Sequence, residues 1–196
     1  MDDATPRNPE HDFALLLSGV PGINEEVADA LYEAGCDDAL LSLQRGAYIL
    51  DFCRAAPSLK EAIISAIRDL QGNRLGIDVI RVNTCEYVNQ AEIAEKIGVT
   101  RATINLYVAG KRGPGGFPPP VCHITDGHPS WAWCEVASWL ERNQLLDHQQ
   151  VVDARDVRNI NMILECRNSF LRDREQFQAV LNELWHVDLS KSVTSR

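Results

Sequence analysis

The chain has 196 residues, of which 45% are hydrophobic and 24% charged, and its formal net charge at pH 7 is -9. This composition is typical of a globular protein with one large domain or two to three small ones. No apolar run approaches the ~20 residues that cross a bilayer, and the acidic, polar N-terminus is unlike a secretory signal. We therefore expect a cytoplasmic protein without membrane contact. Six cysteines without a CxxC pair predict free thiols and no disulfide framework.

Residues 1–83 predict alternating strands and helices. Apolar runs indicate strands at residues 13–20, 39–43, 47–52 and 77–83, and Gln44-Arg45-Gly46 joins the middle two as a hairpin. Asn24 is the expected cap of one amphipathic helix, and Ser58 opens another in an S-x-x-E capping box. The order β-α-β-β-α-β predicts an α+β, ferredoxin-like N-terminal module with both helices on one face of an antiparallel sheet.

Charge is distributed unevenly between this region and the next. Residues 1–83 hold 14 acidic and 7 basic side chains, whereas residues 84–112 hold 3 acidic and 4 basic ones. Within residues 90–112, Ile93, Ala94 and Ile97 are spaced as the inner face of a short helix, and Gly98 allows a sharp turn after it. Thr100 can cap a second helix. The pattern therefore predicts two short helices joined by a tight turn.

The side chains at the start of the second helix are those that contact DNA bases. Arg binds guanine through two hydrogen bonds and Asn binds adenine in the same way, while Thr and Ala offer a methyl group to thymine. We expect contacts with DNA bases from four residues of this helix: Arg101, Ala102, Thr103 and Asn105. Lys111 and Arg112, beyond the helix, suit contacts with phosphates.

The run from Gln90 to Ala94, followed by Gly98-Val99-Thr100-Arg101, resembles a bacterial helix-turn-helix DNA-binding motif. The segments that follow, GFPPPV, Trp131-Ala132-Trp133 and the predicted helix 134–143, are similar to the wing and next helix of MerR-like and excisionase-like winged domains. The resemblance covers residues 84–143. It implies that Gln90 lies near phosphate and that residues 100–105 enter the major groove. The segment KRGPGGFPPP is longer than a minimal wing entry, and is either an arm along phosphates or a rigid spacer.

Residues 144–196 predict a helical C-terminal segment. Val157, Ile160, Ile163 and Leu164 repeat as one apolar face, and a second apolar stretch follows from Phe170 to Leu184. Such a helical pair suits a homodimer interface, because a two-fold partner places two recognition helices about one DNA turn apart, ~34 Å. The polar residues 189–196 are predicted to fray.

Two other kinds of site are considered and set aside. Cys122, His123, His128 and Cys134 are potential zinc ligands, but their spacing matches no standard finger. The chain has no Walker loop, G-x-S-x-G or G-x-G-x-x-G motif, so no catalytic residue and no enzymatic activity is expected. We expect neither a metal nor a cofactor.

These features predict a sequence-specific, double-stranded-DNA-binding transcriptional regulator, a dimeric repressor of its own gene at an inverted repeat. Gln90, Thr100, Lys111 and Arg112 would set the register on DNA. In the alternative hypothesis, the chain is an autoregulating interaction protein, like an antitoxin or an effector inhibitor. Its acidic N-terminal module then binds a protein partner.

Overall fold

The N-terminal half of the protein contains the larger of its two sheets. The structure, a computed structural model, describes residues 8–185; the tail predicted to fray lies outside this range. The chain is a mixed α+β protein. Its first six elements are β1 (Glu10–Ser18), α1 (Glu25–Glu33), β2 (Ala39–Gln44), β3 (Ala47–Ala55), α2 (Leu59–Gln71) and β4 (Asp78–Val82).

The second half of the described chain is mainly helical. Its elements are β5 (Tyr87–Val88), α3 (Gln90–Lys96), α4 (Arg101–Val108), β6 (Trp131–Ala132), α5 (Trp133–Arg142), α6 (His148–Arg172) and α7 (Arg174–Trp185). None of the helices within residues 8–185 combines the length and the apolar character that crossing a membrane requires.

The four-stranded sheet has the order β2-β3-β1-β4, and every neighbouring pair is antiparallel. The predicted hairpin is confirmed: Gln44 pairs with Ala47, and Arg45 and Gly46 have φ of 50° and 83°. Two consecutive residues with positive φ are typical of a tight hairpin turn that matches the strand twist. Strand β1 begins at residue 10 and not at the predicted residue 13, because its polar first residues pair with the end of β3.

Helices α1 and α2 pack on one face of this sheet. Both predicted caps are confirmed: Asn24 Oδ1 accepts a hydrogen bond from Val27 N at 3.0 Å, and Ser58 Oγ accepts one from Glu61 N at 3.2 Å. The apolar faces of the helices and sheet form the first core cluster, which includes Leu15, Leu17, Val27, Leu31, Leu50, Phe52, Ile63, Ala66 and Leu70.

A buried arginine links strand β3 to helix α2 and to the connection that follows α1. Arg54 is 8% exposed, and its guanidinium contacts Asp38 at 2.7 Å and Asp69 at 2.6 Å. It also donates to Ser65 Oγ and to the carbonyl of Gly35. The hydrogen bonds to Asp38 raise the pKa of Arg54 above its usual value. The cation is thus fully paired, as a buried charge must be.

Helix α6 covers the outer edge of strand β4. The Asn161 side chain accepts a hydrogen bond from Val82 N at 2.7 Å and donates one to Val82 O at 3.2 Å. Further along the helix, Asn168 donates to the carbonyls of Val79 and Ile80. The carboxamides therefore take the place of a neighbouring strand and satisfy backbone groups that an edge strand leaves open.

The apolar face of α6 completes the first core cluster. Val157 and Leu164 are buried in it and Ile160 packs against it, so the core of the predicted 1–83 module also uses residues from the C-terminal segment. The prediction that Ile163 shares this inner face is wrong, because its side chain is 68% exposed. Because α6 packs along the edge of β4, the buried face of α6 is narrower than the spacing of its apolar residues predicted.

Helix α7 contacts α6 and has no buried residue. Phe170 and Phe177 pack edge to face with ring centroids 5.8 Å apart, which holds the two helices together. Large apolar side chains remain exposed on this helical pair: Met162, Ile163, Leu171, Val180, Leu184 and Trp185. The homodimer interface predicted here stays a prediction.

Candidate nucleic-acid interface

Helices α3 and α4 form the pair of short helices that the sequence predicts. Asn89 Oδ1 accepts hydrogen bonds from Ala91 N and Glu92 N, and Glu92 Oε2 accepts one from Asn89 N at 2.7 Å. This reciprocal capping box sets the start of α3. This box is not among the predicted caps, although its N-x-x-E spacing is present in the sequence. Thr100 caps α4 as predicted, since its Oγ1 accepts from Thr103 N at 3.2 Å.

The turn between the two helices depends on Gly98. Its φ is 66°, and the next backbone N–H, that of Val99, donates to Ala94 O at 2.9 Å, closing the end of α3. The predicted left-handed glycine is therefore confirmed. It lets α4 leave α3 at a sharp angle while both inner faces remain in one core.

We expect Gly98→Val to destabilise the fold by about 1–2 kcal/mol, because a β-branched residue is strained at positive φ. Space is not the cause, since a Cβ at this position would have no heavy atom within 4 Å apart from those of the adjacent residues. Thermal unfolding of Gly98→Asn provides the matched control. Asn tolerates this conformation better, so a loss as large as that of the Val variant would show that backbone strain is not the reason.

The inner faces of the two helices lie in a second core cluster. Ile93 and Ile104 are fully buried, and Ala94 is nearly so. They pack with Val88 of β5 and with a set of residues from β6 and α5, namely Trp131, Val136, Trp139 and Leu140. This packing determines which side of α4 faces solvent.

The solvent side of α4 carries the residues that were predicted to contact bases. Arg101, Ala102 and Asn105 are exposed. Neither Arg101 nor Asn105 has a side-chain hydrogen bond or ion pair to any residue within the range that the structure describes. Thr103 differs, because it is half-buried and its hydroxyl lies 3.0 Å from Thr100 Oγ1. The two threonine hydroxyls bind each other.

Lys111 and Arg112 follow α4 directly. Both backbone N–H groups donate to Leu106 O, at 2.9 and 3.2 Å, which closes the helix end and brings the two residues back beside its last turn. Both side chains are exposed. The Arg112 guanidinium lies 5.7 Å from the centroid of the Tyr107 ring, a cation–π contact that limits where it can point.

The segment 113–120 is held against the aromatic residues of the second core cluster. Trp139 Nε1 donates to Gly115 O and Trp131 Nε1 donates to Pro118 O, each at 2.9 Å. Phe117 packs edge-on against both tryptophan rings. These contacts favour the rigid-spacer interpretation of this Gly- and Pro-rich stretch over the arm, because two of its backbone carbonyls and the Phe117 ring are bound to the core.

A hairpin follows the spacer in the position where the wing was predicted. Cys122 and Ser130 form an antiparallel bridge, with Ser130 N donating to Cys122 O at 3.0 Å and Val121 N donating to Ser130 O at 2.8 Å. The chain then continues into β6, which pairs with β5 ahead of α3. The hairpin is thus attached to the same small sheet that precedes the two helices.

The tip of this hairpin is structured by Asp126. Its carboxylate bonds to His123 Nδ1 at 2.7 Å and accepts from His128 N at 3.1 Å. The contact with His123 lowers the pKa of Asp126. The hairpin tip and the start of both helices line one open cavity of about 710 Å³, whose walls include Gln90, Arg101, His123, Asp126 and His128.

This cavity brings together two of the predicted DNA contacts, Gln90 and Arg101, from separate helices. It also adds His123 and His128, two potential zinc ligands that were not predicted to contact DNA. Their position between the two limbs of a predicted wing was the available signal. Within residues 8–185, no group of three or more His, Cys, Asp or Glu side chains is arranged to hold a metal ion.

Comparison of the chain with known protein families, with curated proteins and with solved structures finds no match. Functional inference therefore depends on the geometry described above.

Proposed function

We propose that this protein is a sequence-specific DNA-binding transcriptional regulator. In this proposal, residues 84–143 form a winged helix-turn-helix domain that follows a ferredoxin-like module. The protein acts in the cytoplasm as a homodimeric repressor and binds an inverted repeat, including one at its own gene.

The single observation that carries this proposal is the exposed start of α4. Arg101, Ala102 and Asn105 are open to solvent at one end of a helix whose other side is buried through Ile104 and Tyr107. A buried inner face fixes the outward direction of the outer side chains before DNA arrives. Few side chains then lose conformational freedom when DNA binds, and the fixed directions of the outer side chains can distinguish one base edge from another.

The hairpin tip supports the same function. It lines a common cavity with Arg101, so a DNA backbone lying across α4 would meet His123 and His128 as well. Lys111 and Arg112 lie at the opposite end of α4. Basic side chains at both ends of a recognition helix suit two phosphate contacts flanking the bases that the helix reads.

The acidic charge of the whole chain supports specific over indiscriminate binding. A net charge of -9 repels DNA from most of the surface, so affinity must come from the few basic groups around α4 and from base contacts. A single module with so few phosphate contacts binds weakly at cellular salt. A dimer at two half-sites would double the contacts.

We expect Arg101→Ala to weaken binding to the cognate site by about 1–3 kcal/mol, roughly 5- to 150-fold in Kd, through loss of its base contact. Fluorescence polarisation at near-physiological salt on DNA from upstream of the protein's own gene measures this. Binding of scrambled DNA should change far less. The matched control is Arg68→Ala, an exposed arginine on α2 with the same charge loss. Equal losses on cognate and scrambled DNA would contradict base reading by Arg101.

The open face of the four-stranded sheet favours a second candidate function, binding of a basic protein partner. On the face away from α1 and α2, Leu40 of β2 is 70% exposed and pairs with Asp51 of β3. Asp51 also pairs with Ala14 of β1, and Asp12, two residues before Ala14, lies on the same face. An exposed leucine beside two carboxylates suits a partner with apolar and complementary basic groups.

A pull-down with wild-type protein and with an Asp12→Lys, Asp51→Lys variant tests this second function. A basic partner retained by the wild type alone, with DNA binding unchanged in the variant, would favour the interaction protein. If the variant retains every partner of the wild type, the acidic face has no such role.

A further inference from the structure

A second cavity lies between the N-terminal module and the helix-turn-helix unit. Its volume is about 240 Å³, and it is lined by residues from α2, the β4–β5 connection, α3, α5 and α6. Two of the residues that line it are cysteines with no role in the proposed DNA-binding function. These are Cys85, in the connection, and Cys134, in the first turn of α5.

A backbone hydrogen bond joins the immediate neighbours of the two cysteines. Tyr87 pairs with Ala132, and Trp133 N donates to Glu86 O at 2.8 Å, so the antiparallel pairing extends one residue past the strand ends. Cys85 precedes Glu86 and Cys134 follows Trp133, so each cysteine adjoins one end of this hydrogen bond, and both line the same cavity. A disulfide between them requires Cα atoms about 4.4–6.8 Å apart.

The surroundings of the two thiols differ in a way that suits successive reaction. Cys85 is exposed, and its thiol donates to Tyr87 O at 2.7 Å. Cys134 is 5% exposed, and the Arg158 guanidinium donates to its sulfur at 2.8 Å. The Arg158 guanidinium thus fixes the position of the Cys134 sulfur beside the cavity, and a thiolate is the attacking form in disulfide chemistry.

We propose that Cys85 and Cys134 form a reversible intramolecular disulfide when the protein meets a hydroperoxide. The Cys85 sulfur attacks the peroxide, its S–H proton passes to the leaving oxygen, and a sulfenic acid and an alcohol or water result. The Cys134 thiolate then attacks the Cys85 sulfur and expels hydroxide as the S–S bond forms. The two sulfurs give up two electrons, which reduce the peroxide O–O bond, and a dithiol restores both thiols.

This bond would tie the connection after β4 to the start of α5. It would thus join the sheet module covalently to the unit that carries α3 and α4. The inference is independent of the proposed function, because it needs neither DNA nor a dimer.

Peptide mapping of the full chain after treatment with hydrogen peroxide tests the proposal. Trypsin releases Cys85 in peptide 82–96, and releases Cys122 and Cys134 together in peptide 113–142. After alkylation of the remaining thiols, we expect these peptides to be cross-linked, lighter by two hydrogen atoms, and separated again by dithiothreitol. A mixture of isotopically light and heavy chains should give light–light and heavy–heavy links alone.

Three substitutions assign the bond. Cys122→Ser should retain the cross-link, whereas Cys85→Ser and Cys134→Ser should abolish it. Cys53 and Cys166, exposed on other parts of the chain, are matched thiols without a cysteine opposite and should remain unlinked. Cys36 should stay reduced, because burial raises the pKa of its thiol to about 11.

A Cys85–Cys122 link, a light–heavy link, or a Cys85 sulfenic acid that never resolves would each overturn the proposal. Where a substituted chain fails to fold, further digestion of the wild-type protein before Asp126 separates Cys122 from Cys134 and shows which of them is linked to Cys85.

Discussion

Replacing Arg54 by Met is expected to lower the free energy of unfolding by about 3 kcal/mol, the lower end of the ~3–5 kcal/mol typical when one partner of a buried ion pair is removed. Methionine retains most of the aliphatic packing but leaves Asp38 and Asp69 without their shared cation. Their side chains are 29% and 36% exposed, so water recovers part of the loss. Chemical denaturation at neutral pH measures the change.

The matched control for this prediction is Arg68→Met. Arg68 lies on the exposed side of α2, and its replacement should change stability by less than about 0.5 kcal/mol. A second variant, Arg54→Lys, keeps the charge but loses the bidentate hydrogen bonds to Asp38. Its free energy of unfolding should therefore fall between those of Arg54→Met and Arg68→Met. If Arg54→Met is as stable as Arg68→Met, the cluster contributes nothing beyond packing.

Replacing Asn161 by Ala is expected to destabilise the fold by about 2–4 kcal/mol. The carboxamide satisfies both the N–H and the carbonyl of Val82, and Asn161 is 4% exposed. Alanine would leave two buried backbone groups unpaired, each costing ~1–3 kcal/mol. The same denaturation experiment gives the magnitude, and hydrogen exchange at the Val82 amide gives the location.

Asn159→Ala is the control for position and residue type, since Asn159 lies exposed on the same helix. Its free energy of unfolding should lie within about 0.5 kcal/mol of the wild-type value, and hydrogen exchange at the Val82 amide should be unchanged. If Asn161→Ala destabilises the chain without faster exchange at Val82, the loss arises elsewhere and the edge contact is not its cause.

The position of Asn161 also matters for the candidate interface. On the same helix, Arg155 donates to Ser138 Oγ at 3.0 Å, and Arg158 contacts Cys134 and Glu135 of α5. Helix α6 therefore joins the edge of the large sheet to the helix that supports α3 and α4. Loosening it at Asn161 would loosen the orientation of the proposed DNA-reading unit relative to the sheet module.

Local chemistry made several features predictable from the sequence. Asn24, Ser58 and Thr100 cap helices because a short polar side chain ahead of an amphipathic run can bind a free N–H in only that place. Gly98 adopts positive φ, and the Arg45-Gly46 hairpin forms, for similarly local reasons. The exposure of Arg101 and Asn105 followed from the spacing of the apolar residues around them.

Contacts between distant parts of the chain were decided by the tertiary structure. No local pattern distinguishes Asn161, which replaces a neighbouring strand for Val82, from Asn159, which faces solvent. Ile163 is exposed for the same reason, because packing against β4 decides which side of α6 is buried. The hairpin tip reaches Arg101 only because Trp131 and Trp139 anchor the intervening spacer to the core.

The sequence by itself thus determined the order and kind of the elements, the caps and turns, and the side chains offered at the start of α4. These depend on interactions between residues a few positions apart. The tertiary structure decided that α6 joins the two halves and which side chains share a cavity, including Cys85 and Cys134. The contacts of α6 with β4 join residues 79 to 89 positions apart, where only packing of the whole chain selects the partner.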